Sequence, residues 1–457
     1  MNTLISDLRA LIGDGDRVLA APLAPSYLTD AIGHGSGSAA AAVIVKSAQE
    51  VSELVRYAGA HGVTLTPRGA GTNLSGSAVP QRESVIVDVS QMNRILELDE
   101  ANLTVTVEPG VLLSELASFV EGRGYFYPPD PGARNSSIGG NIATNAGGMR
   151  AVKYGVTREY VMGLEFVTAQ GDVLQLGSKN RKDSTGLDLV DLIVGSEGTL
   201  GIITKATLKL LGKPEVSQSV LIGFDEASQA WELIPILLRS SVAPTALEFM
   251  ARAVAELGER YTGDSIGDPE AACYLLLTID GASDAVAASL EQLDELAKQF
   301  GARSVEVLSP ERSATVWALR GSLGLAAEAA GESEPLDLVV PISAQREFME
   351  RIAELEAETG VAMVAFGHAG DGNVHASVLR GELSDSEWAH KRAQVLDAIY
   401  NLAYEFGGLA SAEHGIGLHK REYFAAHTDS KVAALMNAIK VALDPKGIMN
   451  PGISYLY

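Results

Sequence analysis

Two glycine-dense segments constrain this chain more than any other feature. The first, Pro67-Arg68-Gly69-Ala70-Gly71-Thr72-Asn73-Leu74-Ser75-Gly76, directly follows a strand-like run, and the second occupies residues 131–148 as PGARNSSIGGNIATNAGG. Glycines free backbone N–H groups to converge on an anion, and short Ser, Thr and Asn side chains add hydrogen-bonding groups where main chain can approach a ligand closely. A diphosphate is the natural guest of the first segment. A tight turn without a ligand explains glycines after a strand about as well, so the first segment alone decides nothing. It also fails the G-x-G-x-x-G spacing of the nicotinamide fold, and no helix opens at the third position. Few ordinary loops have the composition of the second segment.

Around these segments the apolar residues switch between two periods. From Ala42 they predict a strand over 43–45, a helix over about 49–60 and a strand over 63–65, a β-α-β unit that runs into the first glycine loop. A second such unit is predicted from a strand over 103–107, a helix over 112–121 and a strand over 125–127, making two halves of one domain. A hairpin turning at Gln170-Gly171-Asp172 and short strands near Leu192 and over 202–210 follow, and Gly212-Lys213-Pro214-Glu215 marks a domain boundary. Beyond it, strands over 219–222, 274–278 and 305–307 alternate with helices, notably over 285–300, as an α+β arrangement on an antiparallel sheet. Helices over 388–406 and 431–443 lead to a turn-rich tail. The expected organisation is an N-terminal helical segment 1–35, domains 36–214 and 215–430, and a C-terminal segment 431–457.

With 457 residues, the chain has length for two or three domains with their own cores. Its formal charge of −23 argues against nucleic acid and against a basic membrane-surface patch. An anionic substrate must therefore meet locally placed positive charge, for which a metal ion, Arg320, Lys420 and Arg421 are candidates. Cys273 is the only cysteine, so no intrachain disulfide or thiolate cluster forms, which fits a reducing cytoplasm. The opening MNTLISDLRALIGDGDR has no basic n-region and reads as a short amphipathic helix, not a signal peptide. The most apolar run, residues 39–45, falls far short of the roughly 20 residues a membrane span needs. The expectation is a cytoplasmic protein; peripheral attachment to the inner face of the membrane and a homodimer remain compatible with it.

The chemistry concentrates near the C-terminus. His368 and His375 flank Ala-Gly-Asp-Gly-Asn-Val, and Glu413-His414-Gly415 follows downstream; these stretches hold three of the eight histidines. A solitary loop histidine is usually solvated or hydrogen-bonded. Two imidazoles and a carboxylate, however, suit a borderline divalent ion such as zinc that keeps a position open for substrate. Gly370 to Asn373 are turn residues, so strands over 361–366 and 374–378 should form a hairpin with both histidines near its mouth.

The two glycine segments, together with Gly195-Ser196-Glu197-Gly198-Thr199-Leu200-Gly201-Ile202-Ile203-Thr204, resemble the type 4 FAD-binding oxidoreductase/transferase family, which includes D-lactate dehydrogenase, the glycolate oxidase flavoprotein subunit and D-2-hydroxyglutarate dehydrogenase. The resemblance runs from about residue 36 to the C-terminus. It implies an α+β fold: a vanillyl-alcohol oxidase / p-cresol methylhydroxylase type FAD-binding domain of two α+β subdomains, with a separate α+β substrate (cap) domain. It further implies that Pro67, Arg68, Gly69, Ala70, Gly71, Thr72, Asn73, Ser75 and Gly76 form the pyrophosphate loop. Ser137, Gly139, Gly140, Thr144 and Gly148 would be further FAD contacts, Glu197 and Ile203 contacts on the nucleotide side, and Asn450 a neighbour of the isoalloxazine ring. The pyrophosphate loop has no histidine, so FAD is expected to be non-covalent.

The same resemblance assigns His368, His375 and Glu413 to a divalent metal, zinc on ligand chemistry, and His414 to acid–base work. It sets Arg320 against the substrate carboxylate, which a guanidinium fork suits. The implied reaction is oxidation of a small 2-hydroxy acid, with hydride passing to flavin N5 and the hydroxyl proton managed by metal and histidine. Where dicarboxylate-oxidising relatives show a threonine one turn after the arginine, this chain has Gly324; where they show a lysine shortly before a strand over 338–340, it has Pro335. Both departures favour a monocarboxylate, D-lactate or glycolate, over D-2-hydroxyglutarate. Electrons would pass to a cytochrome, a quinone or an electron-transfer protein. Two alternatives stay open: a flavin subunit that needs iron–sulfur partners, and the family's non-redox alkyl-glycerone-phosphate synthase branch, which has a histidine run where this chain has Glu413.

Overall fold

The computed structural model describes residues 2–33 and 35–453. They form two compact units, the first from Met1–Gly147, Val156–Lys213 and Glu413–Tyr457, the second from Gly148–Gly155 and Pro214–Ala412. The chain therefore leaves and re-enters the first unit twice.

In the first unit a four-stranded sheet has the order Val18–Ala20, Ala39–Ile44, Ser84–Asp88, Leu65–Arg68. The last three strands are parallel, and Val18–Ala20 joins antiparallel at the edge. All five residues of Ser84–Asp88 are buried, and Val85, Ile86 and Val87 make the continuous apolar centre of a strand covered on both faces. The helix Ala48–His61 covers one face with Val51, Leu54, Val55 and Ala58, spaced at helical intervals and all buried. It begins where the Ser47 hydroxyl accepts from the Glu50 amide and ends at Gly62, whose φ of 68° is left-handed. Leu8 and Ile12 of the N-terminal helix Asn2–Ile12 close this core.

A five-stranded antiparallel sheet completes the first unit, in the order Ile95–Asp99, Thr104–Val107, Gly201–Lys209, Val161–Thr168, Val173–Gly177. Here three expectations change. The second β-α-β unit does not close: Thr104–Val107 already has an antiparallel neighbour on each edge, and Tyr125–Phe126 pairs instead with Leu211–Gly212. The strand expected near Leu192 is the helix Leu189–Ile193, capped by Asp188, because Val190 and Ile193 are buried at a spacing of three. The second glycine segment contains the short helix Ile138–Thr144, which buries Ile138 and Ile142. Its glycines are there for close approach: a Cβ on Gly139 would stand 2.6 Å from the Cβ of Pro109.

The second unit is built on a seven-stranded sheet, antiparallel throughout, in the order Ala302–Val307, Val216–Phe224, Cys273–Gly281, Ala246–Ala251, Met363–His368, Asn373–Leu379, Ser333–Val339. Alternation along Cys273–Gly281 builds two cores. Cys273, Leu275, Leu277 and Ile279 join one with the helices Ala227–Arg239 and Ser283–Gln299, while Tyr274 and Leu276 join another with Arg252–Thr262 and Pro310–Gly321. Pro335 lies inside Ser333–Val339, opposite Ser377, rather than ahead of the strand as expected. An edge strand tolerates it because one side of its backbone needs no donor.

The expected histidine hairpin is formed by Met363–His368 and Asn373–Leu379, with His368 facing Asn373 and His375 facing Phe366. Its turn depends on Gly372, whose φ is 90° and where a Cβ would meet the Val340 carbonyl oxygen at 2.1 Å. Strain at such a position costs on the order of 1–3 kcal/mol before the clash is counted. Gly372→Ala should therefore lower the stability of this unit by about 2 kcal/mol or more, read as a shift of the urea midpoint; an unmoved midpoint would contradict this account of the turn. Among the described residues no helix is long and apolar enough to cross a membrane.

Candidate functional site

In the first unit, the strand Leu65–Arg68 ends by delivering its chain into the first glycine loop. The Ser137 hydroxyl ties the two glycine segments together, accepting from the Ala70 amide at 3.2 Å and the Gly140 amide at 3.3 Å. This approach forbids a side chain on Gly69, where a Cβ would fall 2.1 Å from Ser137 Oγ. Arg68 is buried; its Nη2 donates to the Ser26 carbonyl at 2.5 Å, while Nη1 is buried without a partner. Both polar atoms of the Asn73 side chain and Nδ2 of Asn141 are likewise buried and unpaired. Unmet buried donors are costly and uncommon, and a ligand rich in acceptor oxygens, such as a diphosphate, satisfies them. The cradle therefore fits the pyrophosphate of a dinucleotide.

Glu197 and Asn450 brace this cradle. Glu197 takes a left-handed φ of 51° and is buried, with Oε1 accepting from Ser77 Oγ at 2.7 Å and from the Gly417 amide at 2.9 Å. Asn450 Nδ2 donates to the carbonyls of Ser77 at 2.9 Å and Glu197 at 2.7 Å. The C-terminal tail is thereby fastened to the loop after Gly76. Thr144 Oγ1 donates to Gly140 O, and Ile203 lies half-buried on Gly201–Lys209 opposite Phe166. Gly148, grouped with these residues on sequence, belongs to the second unit. Glu413 and His414 open the last segment of the first unit. The carbonyl of His414 accepts from Ser75 Oγ at 3.0 Å, and a Cβ on Gly147 would fall 2.6 Å from Glu413 Oε2, so that glycine leaves room for the carboxylate.

In the second unit the two histidines meet. His368 Nε2 and His375 Nε2 are 3.2 Å apart, their rings nearly perpendicular at 83°. Two nitrogens bound tetrahedrally to one zinc ion at about 2.0–2.1 Å would be separated by roughly 3.3 Å, so the pair fits a shared cation. Each ring has a carboxylate behind it. His368 Nδ1 is 2.7 Å from Glu248 Oε1, and His375 Nδ1 is 4.0 Å from Asp337 Oδ1. Asp337 is fully buried and accepts from Asn373 Nδ2 at 2.9 Å, Ser411 Oγ at 2.9 Å and the Ala412 amide at 3.1 Å. Ala412 is the last residue before Glu413, so Asp337 also holds the end of the stretch that follows the helix Asp385–Glu405.

Arg320, on Pro310–Gly321, is 5% exposed and gives both Nε and Nη2 to Glu248 Oε2, at 2.9 and 2.6 Å. Its guanidinium carbon lies 4.9 Å from the centre of the Phe366 ring. Burial alone would push the Glu248 carboxyl up, but the charge of Arg320 and the hydrogen bonds from Arg320 and His368 outweigh it and hold Glu248 below its ordinary value. Sequence reasoning missed Glu248 and Asp337. The available signal was a carboxylate inside an apolar strand, as in Ala-Leu-Glu-Phe-Met and Leu-Asp-Leu-Val-Val, where an acid survives only if paired.

Residues 39–177 match the model of an FAD binding domain, and residues 213–453 match that of the FAD-linked oxidase C-terminal domain. The chain belongs to the FAD-linked oxidases. Among relatives of this FAD-linked oxidase, D-lactate dehydrogenase of Anaerostipes hadrus is 38% identical, over 91% of this chain and 90% of that protein. Glycolate oxidase subunit GlcD of Bacillus subtilis is 37% identical over 90% and 88%, and D-2-hydroxyglutarate dehydrogenase of Stutzerimonas stutzeri 34% over 98% of both. In fold it is similar to p-cresol methylhydroxylase, with a TM-score of 0.80 at 20% identity, covering 99% of this chain and 96% of that one. Alkyldihydroxyacetonephosphate synthase follows, with a TM-score of 0.74 at 19% identity over 99% and 84%. The α+β architecture of the p-cresol methylhydroxylase type, FAD as the cofactor and membership of a flavin oxidoreductase family are thus all established for this FAD-linked oxidase.

Proposed function

We propose that this FAD-linked oxidase dehydrogenates a small D-2-hydroxy acid, D-lactate foremost, to the 2-oxo acid, with a divalent metal, zinc on its donor set, held by His368, His375 and Glu413. The observation that carries the reading is the pair of Nε2 atoms 3.2 Å apart in the unit that also buries Arg320. The three relatives support it, since each is named for a 2-hydroxy acid. When bound, FAD supplies the acceptor for the hydride on the substrate's Cα, and the cation supplies positive charge that eases loss of the hydroxyl proton.

The remaining work falls to side chains. Arg320 keeps Nη1 clear of any acceptor among the described residues, and that edge suits the substrate carboxylate. His414 takes the hydroxyl proton. Arg68 to Gly76, Ser137, Gly139, Gly140, Thr144, Gly148, Glu197, Ile203 and Asn450 form the FAD site, and the absence of histidine from the 67–76 loop makes the flavin extractable by denaturation. Gly324 and Pro335, which bring no polar group, favour a monocarboxylate over D-2-hydroxyglutarate. The acceptor is a cytochrome, a quinone or an electron-transfer protein.

Anaerobic addition of D-lactate, L-lactate, glycolate and D-2-hydroxyglutarate to the yellow holoprotein tests the assignment. D-lactate should bleach the flavin fastest, and bleaching by none of the four would refute it. Removing the metal with dipicolinate should slow turnover by at least tenfold without releasing FAD, because the hydroxyl pKa then returns toward its value in water. Full activity in metal-free protein would end the metal's catalytic role.

A further inference from the structure

Glu248 sits in the middle of the Ala246–Ala251 strand with no exposed surface, a place where a carboxylate persists only if its lone pairs are taken up. Its two oxygens serve different masters. Oε2 accepts from Nε and Nη2 of Arg320, and Oε1 lies 2.7 Å from Nδ1 of His368. Strand register creates this arrangement, since Glu248 is paired directly with His368 across antiparallel strands. A carboxylate only accepts, so Nδ1 of His368 must carry a hydrogen, and a neutral ring then turns its bare Nε2 lone pair toward the neighbouring Nε2 of His375. The same carboxylate fixes the guanidinium plane of Arg320 and consumes two of its donors, which leaves the Nη1 edge for a ligand.

We propose that Glu248 is a positioning residue for both ends of the substrate site, holding His368 in its metal-binding tautomer and aiming Arg320 at the substrate carboxylate. This rests on the metal and substrate reading given above. An amide in its place cannot do both. Glutamine offers one accepting oxygen and one NH2, so a donor would face either the Nδ1–H of His368 or the guanidinium. Asp280 provides an internal comparison: it is also a buried carboxylate of this unit, but it holds Lys153 Nζ at 2.5 Å, Tyr154 OH at 3.0 Å and Thr245 Oγ1 at 2.7 Å.

The test uses holoprotein in three forms, wild type, Glu248→Gln and Asp280→Asn, titrated with Zn2+ against a chromogenic chelator. KM and kcat are then measured at saturating metal with whichever acid bleaches the wild-type flavin fastest. Wild type should bind one equivalent. Glu248→Gln should bind Zn2+ about 10–100-fold more weakly, the usual effect of losing the partner behind a ligating histidine, and should raise KM even with metal saturating while its FAD content stays unchanged. Asp280→Asn should lower the melting temperature and keep wild-type metal affinity. Should Glu248→Gln fail to fold, Glu248→Asp, which keeps the charge and shortens its reach by one methylene, is read by the same criteria. Metal affinity within twofold of wild type, or an equal loss in Asp280→Asn, would overturn the role of Glu248 while leaving the metal site standing. A wild type that takes up no Zn2+ would instead bring down the metal reading, and this inference with it.

Discussion

His414→Ala should yield a yellow protein that D-lactate bleaches at least a hundredfold more slowly. The variant loses an imidazole but not the local backbone, because Ser75 Oγ is held by the carbonyl of residue 414, an anchor that any side chain preserves. Glu197 likewise holds this segment through the Gly417 amide. FAD content and melting temperature should therefore stay close to wild type. A positioned general base contributes about 10²–10⁴ in rate, so anaerobic flavin reduction should slow by at least a hundredfold. Stopped-flow reduction at the wild-type rate would remove His414 from the chemistry.

Arg320→Ala should damage stability and substrate binding together, for separable reasons. Removing the guanidinium strips Glu248 of its main partner in a site with no exposed surface, and breaking a buried pair from one side costs about 3–5 kcal/mol. That is a large part of what a domain has to spare. It would appear as an earlier unfolding transition of the second unit. Substrate affinity is a second loss, since the proposed carboxylate partner goes with the same side chain. Arg320→Lys separates the two: an ammonium restores charge against Glu248 and should recover much of the unfolding midpoint, but it has no planar fork and should leave KM high. A folded Arg320→Lys with an unchanged KM would exclude Arg320 as the carboxylate clamp.

The elements most legible beforehand are those whose cause is local. Val51, Leu54, Val55 and Ala58 place a helix at 48–61 by spacing alone, with Ser47 and Gly62 at its ends. The histidine hairpin was readable for the same reason, since Gly370 to Asn373 can do little else than turn between two strand-like runs. Leu192 was misread because a five-residue helix is too short to display its period. The pairing of Thr104–Val107 was misread because one edge is taken by the strand just before it, Ile95–Asp99, which the pattern reading passed over, and the other by Gly201–Lys209, almost a hundred residues away. Gly148–Gly155 gave no sign that it would join the second unit, where Lys153 and Tyr154 are held by Asp280.

By itself, the sequence determined the local chemistry of this protein: backbone free to approach a polyanion, two imidazoles on one hairpin, and an acidic chain that must supply its own positive charge at the site. Only the tertiary structure decided which groups stand behind those residues. Glu248 reaches His368 from 120 positions away and Arg320 from 72, so nothing in the spacing of either reveals the contact. The physical reason is that a buried carboxylate takes its meaning from its partners, and those partners are chosen by strand register and helix packing, which no local period encodes.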